Sequence, residues 1–185
     1  MQTTIITGHP YSKSFNHALV KEIQEKTKGE IINLIEDKFN PAMLSEDLAG
    51  FSKGLAHDPL VTKYQEILQN TDKLIFVIPI WWYDLPAIYK GFLDKVMLKD
   101  FAYTENKGRL VGKLTHIQEV IIITTSEAPK WYIQYFAGNP IKALKNRVFK
   151  DIGLKKVSWI HQGNIKTVSN EKRAAFVKKS IEVVS

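Results

Sequence analysis

Trp81, Trp82 and Tyr83 stand side by side just beyond an apolar run, residues 74–78, bounded by Asp72 and Lys73 before it and by Pro79 after it. A run this short and this rich in β-branched and aromatic residues reads as a strand buried on both faces, and so as a central strand of a parallel sheet. Pro79 lacks an N–H and stops the ladder. Ligands bind just beyond the carboxyl ends of strands in open α/β sheets. Ile80, Trp81, Trp82, Tyr83 and Asp84 therefore occupy a ligand position, where the aromatic rings offer flat apolar faces. Their other use is a hydrophobic plug between loops.

A second stretch follows the β-branched run 3–7: Gly8, His9, Pro10, Tyr11, Ser12, Lys13, then Ser14, Phe15 and Asn16. Ser14 suits the N-cap of a helix that begins at Phe15. A strand, a polar loop and a helix N-terminus together present free N–H groups and a positive dipole end, which suits a phosphate. An ordinary βα turn has the same pattern. Gly8 stands alone, so this is neither the glycine-rich dinucleotide fingerprint nor a Walker loop. The third stretch is Thr124, Thr125, Ser126 and Glu127, where hydroxyls and backbone N–H groups could bond the polar edge of a ring. His9, His17, His57, His116 and His161 show no metal-ligand spacing and read as surface or structural histidines. No Ser-His-Asp order with a strained nucleophile turn is present, and Asp84 and Glu127 lack an obvious partner.

The elements that must position these stretches alternate. Strands are expected at 3–7, 30–35, 74–78, about 118–124 and 156–160. Helices are expected from Phe15 to about 26, with Ala18, Leu19 and Ile23 inward and Gly29 ending it; from Asp58-Pro59 through Tyr64 and Leu68; from Pro86; from Asn139-Pro140 to about 152, closed by Gly153; and at 170–183 behind Ser169, with Ala174, Val177 and Ile181 on one face. Residues 36–58 read as a polar surface excursion, 99–113 as a long loop, and 125–138 as a second aromatic loop. Five alternations predict an α/β doubly wound five-stranded parallel sheet, order 2-1-3-4-5, in one domain covering 1–185. That order puts the switch point between strands one and three and all three stretches on one rim. An anion site beside an aromatic wall there suits a flat, phosphorylated cofactor, and a flavin is the economical choice.

Composition narrows the classes. No cysteine is present, which excludes disulfides and thiolate metal sites. No run approaches the roughly 18 apolar residues that span a bilayer, and the N-terminus lacks a basic segment followed by an apolar one, so a cytoplasmic protein without membrane insertion is expected. The net charge of +7 comes from lysines spread along the chain, so it reads as a solvated surface that mildly attracts anionic ligands, not as a nucleic-acid site.

Across nearly the whole chain the sequence resembles the flavodoxin-like NAD(P)H:quinone oxidoreductases, a family that includes the mammalian quinone reductases, reductases of the modulator-of-drug-activity-B type and ancillary subunits of potassium-efflux systems. The resemblance is carried by His9 with Ser14-Phe15-Asn16; by the block Pro79-Ile80-Trp81-Trp82-Tyr83 running on through Leu85-Pro86-Ala87-Ile88 and Lys90-Gly91; by Phe101-Ala102-Tyr103; and by Thr124-Thr125. It implies a flavodoxin-like fold and a non-covalent FAD or FMN. His9, Phe15 and Asn16 match positions holding the flavin phosphates, and Gln65 a glutamine near the cofactor. Ile80, Trp81, Trp82 and Tyr83 match the segment along the ring, where backbone N–H groups meet its polar edge. Thr124, Thr125, Ser126 and Glu127 match the second ring-binding loop, with Ser126-Glu127 where the mammalian enzymes have two glycines. Tyr132 matches an active-site tyrosine; the histidine that partners it in the mammalian enzymes is absent near Ala137 and Gly138. Tyr103 matches a substrate-contacting tyrosine on a loop reaching a second subunit, which implies a homodimer. The implied activity is that of an NAD(P)H dehydrogenase (quinone): ping-pong, two-electron hydride reduction of quinone-type acceptors with NAD(P)H as reductant. The alternative is a flavin- and nucleotide-binding regulatory subunit of a membrane transport system. A purely electron-carrying flavodoxin fits poorly, since those are typically acidic.

Overall fold

The computed structural model describes residues 1–185. Five parallel strands, β1 (Thr3–Thr7), β2 (Glu30–Asn33), β3 (Lys73–Pro79), β6 (Glu119–Thr125) and β7 (Val157–Gln162), form one sheet in the order β2-β1-β3-β6-β7. With the intervening hairpin left out of the count, this is the expected 2-1-3-4-5. β3 is buried along its whole length, as its unbroken apolar run requires. Alternate residues face opposite sides: Leu74, Phe76 and Ile78 join one core, and Ile75 and Val77 the other. The first face is covered by α3 (Pro59–Gln69) and α4 (Ala87–Val96), the second by α1 (Phe15–Thr27) and α7 (Asn170–Val184).

Local chemistry explains most boundaries. Ser14 caps α1, Asp58 caps α3 with Pro59 in its first turn, and Ser169 caps α7. The left-handed residue that ends α1 is Lys28, at φ 55°, one position before the expected Gly29. The inward stripes match expectation in part. In α1 Leu19 and Ile23 are buried as expected and Val20 joins them, with Ala18 exposed; in α7 the expected Val177 packs on the core, but the buried residues are Phe176, Ser180 and Val184, and Ala174 is exposed. Phe176, the largest apolar group on α7, lies in the core of that face.

Three expected loops contain structure. The 36–58 excursion holds α2 (Ser45–Phe51) and packs tightly on α4: a Cβ at Gly91 would come within 2.3 Å of the Pro41 carbonyl oxygen. The 99–113 stretch is a hairpin, β4 (Tyr103–Asn106) and β5 (Arg109–Gly112), turned by Lys107 and Gly108 at φ 49° and 74°. Two successive positive-φ residues make the tight turn whose twist suits a hairpin. The 125–138 loop contains α5 (Lys130–Tyr135). Beyond it, α6 (Pro140–Ala143) continues as a π-helical turn, Leu144–Phe149, in place of one regular helix. No helix is long and apolar enough to cross a membrane.

Candidate functional site

The loops after β1, β3 and β6 meet at the carboxyl rim. At the first, the Ser14 hydroxyl accepts from the His17 N–H at 3.2 Å, while the N–H groups of Phe15 and Asn16 have no acceptor within the chain. Asn16 is 2% exposed. Its Oδ1 accepts from the Thr125 hydroxyl at 2.7 Å, and its Nδ2 is buried with no partner. A buried donor left unmade costs about 1–3 kcal/mol, so Asn16 stands ready for an acceptor from outside. It lines a cavity of about 590 Å³ with His9, Tyr11, Lys13, Pro79, Lys166, Arg173 and others. Arg173 donates to the Ile165 carbonyl at 2.8 Å but leaves its Nε buried and unpartnered. The one carboxylate there, Glu127, pairs with Lys166 at 3.7 Å. The donor set fits phosphate.

His9 accepts from the Tyr11 N–H on Nδ1 at 3.1 Å, which leaves the proton on Nε2. Its ring stands edge-on to Trp81 and to His17, at 5.9 Å and 6.2 Å. Burial first, then the nearby His17, hold the imidazole below its ordinary value against the Tyr11 contact. At neutral pH His9 is therefore an uncharged Nε2–H donor at the anion end.

The second loop is a tight turn. Trp81 N–H donates to the Asp84 carbonyl at 3.1 Å and Asp84 N–H returns to Trp81 at 3.0 Å. Trp82 and Tyr83 sit at φ 49° and 65°. Left-handed backbone costs a non-glycine residue about 1–2 kcal/mol, and such strain gathers at functional sites. The turn leaves Trp82 95% exposed and the N–H groups of Trp82 and Tyr83 free. A cavity of about 560 Å³ opens here between 80–83 and 126–128, with Ile133 and Lys166. It shares Ile80, Trp81, Ser126, Glu127 and Lys166 with the anion cavity, so the two form one groove. Tyr132 on α5 stands beside it, its ring 5.7 Å from that of Tyr83.

The structure thus brings together His9, Ser14, Phe15, Asn16, Pro79, the 80–83 turn, Thr125, Ser126, Glu127 and Tyr132. Several details differ from expectation. The Ile80 N–H is bonded to the Thr125 carbonyl at 2.8 Å and does not face a ligand. The hydroxyls of Thr124, Thr125 and Ser126 are spent on His161, Asn16 and the Ala128 carbonyl, so this loop meets the groove through backbone. Gln65 lies elsewhere: it donates to the carbonyl of Val96, the last residue of α4, the helix that runs away from the rim. Tyr103 lies on β4, half-buried against its own chain's core and outside the groove. Lys13, Lys166 and Arg173 carry no distinguishing signal in the sequence. Each is one basic residue among many, and only the fold shows that these three converge.

The sequence profile of the flavodoxin-like fold matches residues 1–184. The chain belongs to the flavodoxin-like fold family. Within it, a Haemophilus influenzae protein named as an uncharacterized NAD(P)H oxidoreductase is 30% identical over 185 residues, covering 96% of this chain and 91% of the relative. The NAD(P)H dehydrogenase [quinone] 1 of Rattus norvegicus is 27% identical over 149 residues, covering 69% of this chain; the match spans 54% of the rat protein's length. Among solved structures, Smu.1420 from Streptococcus mutans superposes with a TM-score of 0.86 at 28% identity, covering 100% of this chain and 98% of that one. The family fold accounts for the rim position of the groove.

Proposed function

We propose that the groove holds a flavin and that the chain is an NAD(P)H:quinone oxidoreductase. One observation carries the reading: buried, unpartnered donors at one end of the groove are continuous with an aromatic turn at the other. The names of the Haemophilus influenzae and rat relatives support it. The N–H groups of Phe15 and Asn16, Asn16 Nδ2 and His9 Nε2 would hold the phosphate, and the free N–H groups of Trp82, Tyr83, Glu127 and Ala128 the polar edge of the ring. Bound there, the flavin supplies two-electron transfer between a nicotinamide and a quinone. The protein orients. Trp82 and Tyr83 offer stacking faces, Tyr132 offers a hydroxyl to an acceptor oxygen, and the N–H donors stabilise charge on the reduced ring. Nucleotide and acceptor use one face in turn, which requires parallel-line initial-rate kinetics.

The anion cavity runs past Asn16 to Tyr11, Ile165 and Arg173. That room, with three cations around it, favours FAD over FMN. A mass spectrum of flavin released from the purified protein tests this: FAD is expected, and FMN alone would overturn the dinucleotide part of the proposal.

We also infer a homodimer. Ala102 is buried, and Phe101 and Tyr103 are half-buried against their own core. What lacks a partner is the ledge of Trp131, Tyr135 and Phe136 (58%, 73% and 72% exposed), with Leu110 and Val111 on the hairpin. An apolar cavity of about 730 Å³ lies between Leu110, the π-helical turn and Tyr83. Exposed apolar surface of this kind marks an interface.

A further inference from the structure

The hydroxyls of Thr124 and Ser126 turn into a polar cluster that the proposed reaction does not use. At its centre is half-buried His161, near the end of β7. Its Nδ1 lies 2.7 Å from the Thr124 hydroxyl, and the Thr124 oxygen also accepts from the Trp159 indole N–H at 2.8 Å. On the other side of the ring, Nε2 lies 3.0 Å from the Ala128 carbonyl and 3.2 Å from the Ser126 hydroxyl, which itself donates to that carbonyl at 2.7 Å. A carbonyl only accepts, so the proton is on Nε2 and Nδ1 accepts from Thr124. The donors then run one way, from Trp159 to Thr124, to His161, to Ala128.

We infer that His161 is a positioning residue that clamps both ends of the 124–128 segment from behind the groove. It thereby sets how the free N–H groups of Glu127 and Ala128 meet the ring of a bound flavin; this rests on the flavin reading above. The clamp is tightest with an uncharged ring, whose Nδ1 accepts the Thr124 proton. A second proton turns Nδ1 into a donor, so the Thr124 oxygen must accept from it as well as from Trp159, and the Thr124 proton is left the Ile160 carbonyl at 3.4 Å. The charged groups around the ring are Lys130 at the start of α5, Lys179 on α7 acting on Lys130, and the Lys166–Glu127 pair on the loops; β6 contributes only hydroxyls. Lys130 is held 4.5 Å over the Trp159 ring. Burial first, with Lys130 adding to it against the Ala128 bond, keeps the imidazole below its ordinary value. The clamp therefore holds at neutral pH and loosens in acid. His9 titrates at the other end of the groove with the opposite sign, because its added charge attracts phosphate.

The test uses the full chain stripped of flavin, titrated with FMN and separately with FAD between pH 5.5 and 8, in the wild type, His161→Gln and His161→Leu. Gln keeps a donor for Ala128 and cannot titrate. Its affinity should stay near the wild-type value at pH 8 and should lack the loss the wild type shows in acid. Leu should bind about tenfold more weakly at every pH, the scale of one lost polar contact. Wild-type affinity in His161→Leu, or an unchanged acid loss in His161→Gln, would overturn the inference. Histidine ¹⁵N shifts in the flavin-free protein give an independent readout. An Nε2–H tautomer that titrates below the ordinary value of about 6.5 is expected, and an Nδ1–H tautomer would overturn the clamp. A wild type that binds neither flavin would remove the flavin reading instead, with the tautomer still judging the hydrogen-bond geometry.

Discussion

Asn16 commits its carbonyl to Thr125 and keeps its amide N–H groups for a ligand. Asn16→Ala should therefore weaken flavin binding by about 1–2 kcal/mol, read by fluorescence titration of the flavin-free protein. Unchanged affinity would move the phosphate site elsewhere. Trp82 makes the opposite trade, holding a left-handed backbone to present a nearly bare ring. Trp82→Gly relieves that backbone. It should leave the melting temperature unchanged or higher while lowering kcat/KM about tenfold, the scale of one lost aromatic partner. Tyr132→Phe should cost less, because water can replace a lone hydroxyl in an open groove. A Tyr132→Phe loss larger than that of Trp82→Gly would reverse the roles assigned to the two residues.

The elements are held to the rim by contacts far from it. Lys95, on α4 and nearly fully buried, pairs with Asp47 at 3.0 Å and Asp58 at 3.8 Å, and donates to the Asn40 carbonyl at 3.2 Å. One cation thus ties the 36–58 excursion to the helix that follows the Trp82 turn. Burial alone would raise the Asp47 carboxyl, but the Leu44 N–H and Lys95 hold it below its ordinary value. Lys95→Met leaves the carboxylates unpaired and should cost about 3 kcal/mol, with proteolysis opening first within 36–58. Wild-type melting and cleavage would contradict this. None of this network was legible in sequence, because Lys95 sits 48 positions from Asp47 in an ordinary helical pattern. The strands were legible, since β3 and β6 are apolar runs whose burial depends on composition alone. The hairpin was not. Arg109, Leu110 and Val111 are exposed and lack the alternation of a half-buried strand, and the Lys107-Gly108 turn is a weak cue. At the site, the positions were legible and the bonding was not. The hydroxyls of Thr124 and Thr125 are taken up by His161 and Asn16, which arrive from other elements.

At the scale of the molecule, the strand order brings three loops to one rim, and the groove follows from that crossing. The exposed ledge on α5 and the open apolar cavity predict a dimer, which light scattering at micromolar concentration would show as twice the 21.2 kDa chain mass. A fully active monomer would contradict it. The most direct test of the central claim is double-mixing stopped flow on the flavin-loaded protein: first NADPH or NADH, then a small quinone. The proposed function predicts that a reduced nicotinamide bleaches the flavin absorbance and that the quinone restores it. A bound flavin that neither nucleotide bleaches would contradict the reductase reading and leave a binding subunit in its place.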